Sequence, residues 1–283
     1  MFGKNDVIPN DVIPGRHLTL GITLTFVSLF LFIPLAAFVL FASGMGIKKF
    51  WAAVTDWRNV HAYGVSFFCA LAAGIINAVF GLIIAWVLVR YEFRGKKIMD
   101  ALIDLPFALP TAVAGIALTT LYAQNGILGQ FFYSVGIESA FSPLGITIAL
   151  VFVGIPFVAR SVQPVLKELD PQVEEAANLF GAGNWTIFSK VIFPELLPPL
   201  LTGFALAFAR GIGEYGSVVF IAGNMPYETE IAPLMIMTKL EQFDYQSAAA
   251  IAIVMMVLSL TILLVIHGYQ SRQLKKIGGA VSA

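Results

Sequence analysis

Long stretches without a single Asp, Glu, Lys or Arg divide the chain into apolar segments separated by short polar ones. Crossing the ~30 Å hydrocarbon core of a bilayer takes about 20 apolar residues at ~1.5 Å per residue. Five such stretches are each long enough for one crossing, and so is a sixth apolar stretch, between Glu195 and Glu228, that Arg210 and Glu214 interrupt. We therefore predict six membrane-spanning helices, near residues 18–42, 65–89, 101–122, 144–165, 199–221 and 247–268.

Two of these segments carry irregular features. Pro106 and Pro110 lie in the third predicted span, where prolines are expected to kink a helix. The stretch 126–137, GILGQFFYSVGI, is apolar but short, so it is either an interfacial helix or part of a seventh span. The pattern alone leaves that alternative open.

Composition agrees with a membrane protein. Hydrophobic residues make up 58% of the 283 and charged ones 12%, against roughly 25% in soluble proteins. So few charges cannot cover a water-facing surface. The 17 basic and 17 acidic residues balance, which gives no basic excess for nucleic acid. A soluble enzyme, a nucleic-acid binder, a disordered chain and a disulfide scaffold are excluded. The fold class expected is an all-α polytopic bundle, with residues 1–283 as a single transmembrane domain.

The distribution of basic residues predicts orientation. With six spans and a cytoplasmic N-terminus, the inner segments carry twelve Lys and Arg and the outer loops carry four, as the positive-inside rule requires. Both termini are then cytoplasmic, and the first apolar segment is a retained helix rather than a cleaved signal. The inner residues are Lys4, Arg16, Arg90, Arg94, Lys96, Lys97, Arg160, Lys167, Lys190, Arg272, Lys275 and Lys276; the outer ones are Lys48, Lys49, Arg58 and Lys239.

The chain has few residues that could form a disulfide, bind a metal or phosphate, or act in catalysis. Cys69 is the single cysteine, so no intrachain disulfide can form, and the three histidines lie far apart in the sequence. No Gly-rich phosphate-binding loop is present. We expect no catalytic residue, no metal and no cofactor, and any ATP that drives the protein must bind to another subunit. The basic residues Arg90, Arg94, Lys96 and Lys97 are interpreted first as topology determinants, and their contact with acidic membrane lipid is secondary.

The loop between the fourth and fifth spans, residues 166–199, contains a predicted short helix. Asp170 followed by Pro171 is typical of a helix start. Gly181 and Gly183 predict its end. The helix is about 14 Å long, and one face carries apolar side chains at helical spacing, namely Val173, Ala176, Ala177 and Phe180.

This loop resembles the EAA loop of the membrane subunits of ABC importers. The resemblance rests on these residues, in order: Glu175, Ala176, Ala177, Gly181, Val191, Phe193 and Pro194. Val191 and Phe193 replace the Ile and Leu of the family pattern. The resemblance implies that the loop forms a coupling helix docked on the ATPase subunit, with the alanines allowing close approach and the glycine turning the chain. The simpler alternative is an amphipathic helix on the membrane surface.

A second stretch, residues 209–226, places Arg210 and Glu214 one helical turn apart inside the fifth span. Together with residues 226–252 and 104–115, it is similar to the sulfate/molybdate branch of ABC importer permeases, and most similar to sulfate/thiosulfate permease subunits. The similarity covers most of residues 60–270. It implies a type I importer-like fold, ATPase subunits, a second permease subunit (a related chain or a copy of this one) and an extracytoplasmic sulfate-binding protein.

Three questions stay open at this point: the role of Arg210, the identity of the substrate and the class of transporter. Arg210 is either an electropositive element near an anion path or one half of a structural ion pair with Glu214. The substrate is sulfate, with thiosulfate, or instead molybdate or tungstate, since these oxyanions share charge and shape. A different class, an ion-coupled secondary transporter, would carry an internal inverted repeat, and the single EAA-like loop argues against one.

Overall fold

The computed structural model describes residues 16–281 and shows helices and connecting loops in that range, with no strand. The predicted inner position of Lys4 lies outside the described residues, as do the side chains of Arg272, Lys275 and Lys276. The helices, in chain order, are α1 (Arg16–Val27), α2 (Ile33–Ser43), α3 (Ile47–Val54), α4 (Trp57–Arg90), α5 (Lys96–Ile103), α6 (Leu105–Ala108), α7 (Thr111–Tyr122), α8 (Ile127–Ser134), α9 (Pro143–Glu168), α10 (Pro171–Leu179), α11 (Asn184–Ile187), α12 (Phe193–Ile212), α13 (Val218–Ile221), α14 (Ala232–Glu241) and α15 (Tyr245–Val281).

Five helical stretches within residues 16–281 are long and apolar enough to cross a membrane, and all five correspond to predicted spans. Two of them continue through one wide π turn, Ser28–Phe32 between α1 and α2, and Phe188–Ile192 between α11 and α12. The second wide turn ends just before Pro194, which has no backbone N–H to complete a regular α turn. The five are Leu18–Ser43, Trp57–Arg90, Pro143–Glu168, Asn184–Ile212 and Tyr245–Ile266.

The third predicted span, 101–122, is not one helix, and the expected proline kink is instead a double break. Asp104 ends α5 and precedes α6, and Leu109 and Pro110 adopt extended backbone before α7 begins at Thr111. Proline disfavours helical geometry in the residue before it, which explains the break at Leu109. The twelve residues of α7 extend only about 18 Å, so the crossing needs several short helices.

The relative direction of α4 and α9 requires that the segment between them crosses the membrane. Cys69 on α4 contacts the start of α9 at the Pro143 carbonyl, 3.5 Å from Sγ to oxygen. At the other end, Arg90 at the end of α4 forms an ion pair with Glu174 on α10, just after α9. The two long helices are therefore parallel, and residues 91–142 must return from one end of the bundle to the other. The end at which Arg90 meets α10 is called the α10 end. The opposite end is called the α14 end, because the Ala232 amide at the start of α14 donates to Ser66 in the first half of α4.

The boundaries of the fifth span differ from the prediction. The fifth span was expected at 199–221 but runs from Asn184 to Ile212, after which Gly213 ends the helix and α13 is a separate short helix. The stretch 126–137 forms α8, whose eight residues extend about 12 Å. An eight-residue helix is too short to cross by itself, and α8 is not one of the five stretches that are long and apolar enough to do so.

The core forms where α4, α9 and α12 pack along one another, and glycine makes this possible. Val158 on α9 is fully buried between Gly81 of α4 and Gly203 of α12. A methyl group on Gly81 would lie 2.7 Å from Val158 Cβ, and one on Gly203 would lie 2.6 Å from Val158 Cα. Small residues that let backbones approach closely are the usual means of helix association in membranes.

Candidate functional site

The predicted helix of the EAA-like loop is confirmed as α10. Asp170 caps it, since its Oδ1 accepts a hydrogen bond from the Gln172 amide at 2.9 Å. The helix ends where Gly181 adopts φ +80°, and the Gly181 and Ala182 amides donate to the carbonyls of Asn178 and Ala177. Only glycine takes this left-handed conformation at little cost. Gly181 therefore turns the chain, as the sequence predicted.

One side of α10 presents apolar side chains that no other part of the described structure covers. Leu179 is 89% exposed and Phe180 93%, and Val173 and Ala176 are also exposed. We call these four residues the apolar patch. Glu175 is exposed beside them. Large exposed apolar groups on a helix of this kind indicate an interaction site.

The other side of α10 is anchored to its own bundle. Ala177 is half-buried against the cluster that contains Trp86, Val158 and Leu196. Glu174 forms an ion pair with Arg90, whose guanidinium also lies 5.4 Å from the centroid of the Trp86 ring. The structure therefore divides the motif, with Ala176 facing outward and Ala177 inward. Sequence reasoning treated Arg90 as a topology determinant and did not pair it with Glu174.

Arg210 and Glu214, one turn apart in sequence, form the ion pair that their spacing allows. Glu214 is 1% exposed, and its Oε1 accepts hydrogen bonds from the Ser217 amide and hydroxyl, both at 3.0 Å. The carboxylate thus holds together the end of α12 and the start of α13. Arg210 keeps 39% of its side chain exposed.

A second buried carboxylate lies at the α14 end. Glu230, 1% exposed, accepts two hydrogen bonds from Arg58, at 2.7 Å from Nε and 2.5 Å from Nη2. This fork geometry is the strongest form of such a pair. Sequence reasoning missed it, because 172 residues separate the partners and no local spacing relates them.

A third polar cluster fixes the first break of the third span. Arg160 on α9 donates to Asp104 at 2.6 and 2.9 Å and to the Asp100 carboxylate at 2.6 Å. Gln163 accepts from Arg160 at 2.6 Å as well. The Arg160 hydrogen bond holds the pKa of Asp100 below its usual value of 3.8, against a smaller opposing effect of desolvation. This cluster too was not predicted.

An open cavity of about 610 Å³ lies at the α14 end, among α3, the start of α4, α14 and α15. Lys49 and Lys239 line it together with Asp56 and Asp244. Both carboxylates cap helices, since Asp56 accepts from the Arg58 amide and Asp244 from the Ser247 amide. Among the described residues, no three His, Cys, Asp or Glu side chains come together as metal ligands would.

Comparison with known proteins places this geometry in a family. Residues 77–276 match the family described as "Binding-protein-dependent transport system inner membrane component". The chain is 47% identical over 268 residues to the sulfate transport system permease protein CysT of Escherichia coli, covering 95% of this chain and 97% of the relative. It is 49% identical over 246 residues to the protein of that name from Synechocystis, covering 87% and 86%.

Solved structures give the same fold. A bacterial ABC transporter involved in the import of the acidic polysaccharide alginate has a chain that superimposes with a TM-score of 0.74 at 14% identity, over 90% of this chain and 94% of that one. The MetNI methionine ABC transporter in an inward-facing conformation matches with a TM-score of 0.56 at 18% identity, over 78% and 96%.

The chain thus belongs to the inner-membrane components of binding-protein-dependent transport systems, and it is a multi-pass membrane protein with the ABC importer permease fold. This membership is contrary to the alternative of a secondary transporter that works alone. The expected class of protein, an ABC importer permease, is confirmed.

Proposed function

We propose that this chain is the transmembrane permease subunit of an ATP-driven importer that moves sulfate, and also thiosulfate, into the cytoplasm. The observation that carries the proposal is the 47% identity to a sulfate permease over 95% of the chain. The remaining alternative within the branch is molybdate or tungstate. In either case the chain is not an enzyme, and ATP hydrolysis takes place on a separate subunit.

The ATPase subunit docks on α10. The apolar patch supports this, because its side chains are exposed on a helix that is held firmly at its base. Glu175 supplies a charge for a cation on the partner, and Ala176 allows close approach. Gly181 and Pro194 shape the chain that follows, and Ala177 seats the helix on the bundle. The α10 end is then cytoplasmic, as are both termini.

At the α14 end, the complex receives its substrate from an extracytoplasmic binding protein. A solved alginate ABC transporter complexed with a periplasmic protein that carries an alginate pentasaccharide provides the architectural precedent. We propose two ATPase subunits and a second permease subunit, related or identical to this chain, around a central path. ATP binding closes the ATPase pair, moves α10 and switches the bundle between inward and outward openings.

Arg210 and Glu214 act in this proposal as a structural pair. An unpaired charge in the bilayer is costly, and the buried Glu214 carboxylate would repel a dianion if it met one. Glu214 neutralises Arg210 and locks the junction between α12 and α13 through Ser217. Membrane lipid surrounds the remaining apolar surface.

Uptake of ³⁵S-sulfate in a bacterial strain that lacks its own sulfate permease tests the function. We expect ATP-dependent uptake when this chain is expressed with its ATPase, binding protein and paired permease. Unlabelled thiosulfate should compete, and molybdate should compete weakly. Restoration of molybdate uptake without sulfate uptake would refute the substrate but leave the importer class intact.

A further inference from the structure

Arg90, the last residue of α4, makes two contacts that join this long helix to the α10 loop. It pairs with Glu174 of α10 across 84 residues of sequence, and its guanidinium lies over the Trp86 ring. Both charged side chains are mostly buried, with 22% and 26% exposed. The contact therefore has a defined geometry rather than that of a loose surface pair.

The same turn of α4 also contacts the far side of the loop. Trp86 packs edge-on against Phe188, with ring centroids 5.5 Å apart, and Phe188 stacks on Trp185 at 5.7 Å. Trp86 and Ala177 also pack against one cluster of buried side chains, which includes Val158 and Leu196. The end of α4 thus contacts the loop on both sides of Gly181. The Arg90–Glu174 ion pair lies before the turn in sequence, and the Trp86–Phe188 contact lies after it.

The ion pair with Glu174 uses only one of the hydrogen-bond donors of the Arg90 guanidinium. Arg90 Nε is buried and has no hydrogen-bond partner among the described residues, while Nη2 donates to Glu174 Oε1. An arginine–carboxylate pair can use two parallel hydrogen bonds. A pair held by one bond can pivot without separating, because the second donor is available as the angle between the helices changes.

We propose that Arg90 is a positioning residue that transmits the movement of α10 to α4 during transport. The inference rests on the proposed function, in which the ATPase moves α10. α4 spans the whole bundle, with 34 residues and a length of about 51 Å. Its other end carries Arg58, which holds Glu230 at the α14 end. A displacement received at Arg90 therefore reaches the opposite side of the membrane through one continuous helix.

The first test measures how much sulfate moves for each ATP hydrolysed. The complete complex is reconstituted in proteoliposomes with its loaded binding protein, and both rates are read on one preparation. We expect Arg90→Gln and Glu174→Gln to retain ATP hydrolysis and to lower the sulfate carried per ATP by about tenfold, the effect of losing a hydrogen bond between charged groups. The charge exchange Arg90→Glu with Glu174→Arg should recover most of the ratio. Arg94→Gln, four residues on and exposed, serves as the matched control and should leave the ratio unchanged.

A second test joins the two helices covalently. Arg90→Cys and Glu174→Cys are introduced together with Cys69→Ala, and a short bis-maleimide links the new thiols. If α10 and α4 move as one unit, the linked complex keeps its sulfate uptake and recovers the ratio that the two single substitutions lose. Loss of uptake on linking would overturn the proposal, because it would mean that the pair must separate in each cycle.

Two further results would also overturn the proposal. One is a parallel fall of hydrolysis and uptake in the neutral variants, which would make the contact one of assembly. The other is failure of the charge exchange to recover the ratio. A wild-type complex that hydrolyses ATP but carries no sulfate contradicts the proposed substrate instead, and the ratio is then read with molybdate.

Discussion

Arg58 and Glu230 form a forked ion pair that joins the start of α4 to the segment before α14, with the carboxylate almost fully buried. Breaking such a pair from one side leaves a buried charge without its partner. Because Arg58 remains 38% exposed, water can enter and reduce the cost.

We expect Arg58→Ala to destabilise the protein by about 2–3 kcal/mol, less than the ~3–5 for a fully buried pair. Thermal unfolding in detergent measures the effect. The double variant Arg58→Met with Glu230→Leu removes both charges and should recover most of the loss. An Arg58→Ala protein with an unchanged melting temperature would contradict the stabilising role of the pair.

The helix crossing at Val158 predicts a sharp contrast between two glycines. Gly203→Ala places a methyl group 2.6 Å from Val158 Cα and 3.0 Å from the Phe157 carbonyl, so backbone must shift. We expect it to cost about 1–3 kcal/mol. Gly64→Ala, on α4, meets nothing within 4 Å and should stabilise the helix by up to about 1 kcal/mol. Equal melting temperatures for the two variants would rule out the close crossing.

Gly181 and Gly183 provide a matched pair for the α10 loop. Gly181→Ala strains a residue at φ +80°, at a cost of about 1–2 kcal/mol that falls on the exit from α10. We expect reduced ATP-dependent uptake and weaker co-elution with the ATPase, and Gly181→Asp should abolish uptake while membrane insertion stays intact. Gly183→Ala meets no atom within 4 Å, and its φ is −73°, so it should behave as wild type. Normal uptake in Gly181→Asp would refute the role of the turn.

Arg210 and Glu214 allow the structural and the anion-binding roles to be separated. Arg210→Met alone should destabilise the protein, because it leaves the Glu214 carboxylate buried with only Ser217 as partner. Arg210→Met with Glu214→Leu removes both charges, and we expect it to recover stability and sulfate uptake to within about threefold. Recovery of stability without uptake would instead show that Arg210 meets the anion.

The Arg160 cluster predicts a dependence on pH. The pKa of Asp100 is lowered in the folded protein, so its contribution to stability is complete above the usual value of 3.8 and is lost as the pH falls through the lower folded value. We expect Asp100→Asn to flatten the decline of melting temperature below about pH 4. Parallel wild-type and variant curves from pH 6 to pH 3 would contradict this coupling.

Local pattern predicted much of this molecule, and long-range packing supplied the rest. Uncharged stretches located the spans, and Asp170, Pro171 and Gly181 located α10, because capping and turn chemistry act over a few residues. Arg210 and Glu214 were paired correctly since one turn of helix separates them. Arg90 with Glu174 and Arg58 with Glu230 were missed, since only the packing of α4 brings them together. The break at Asp104 was missed because the Arg160 contacts that hold it come from another helix, and the break at Leu109 was read as a kink although Pro110 is a local signal for it.

The arginine–carboxylate contacts described above also bear on how the protein responds to voltage. One arginine faces one carboxylate at Arg58, Arg90 and Arg210, whereas Arg160 faces the two carboxylates of Asp100 and Asp104. Moving one elementary charge through the membrane potential involves ~2.3 kcal/mol per 100 mV. A one-to-one pair that moves as a unit carries no net charge through that field. The three one-to-one pairs should therefore contribute little to any dependence of the conformational cycle on membrane potential, whereas the Arg160 cluster, with one excess negative charge, contributes if it moves through the field.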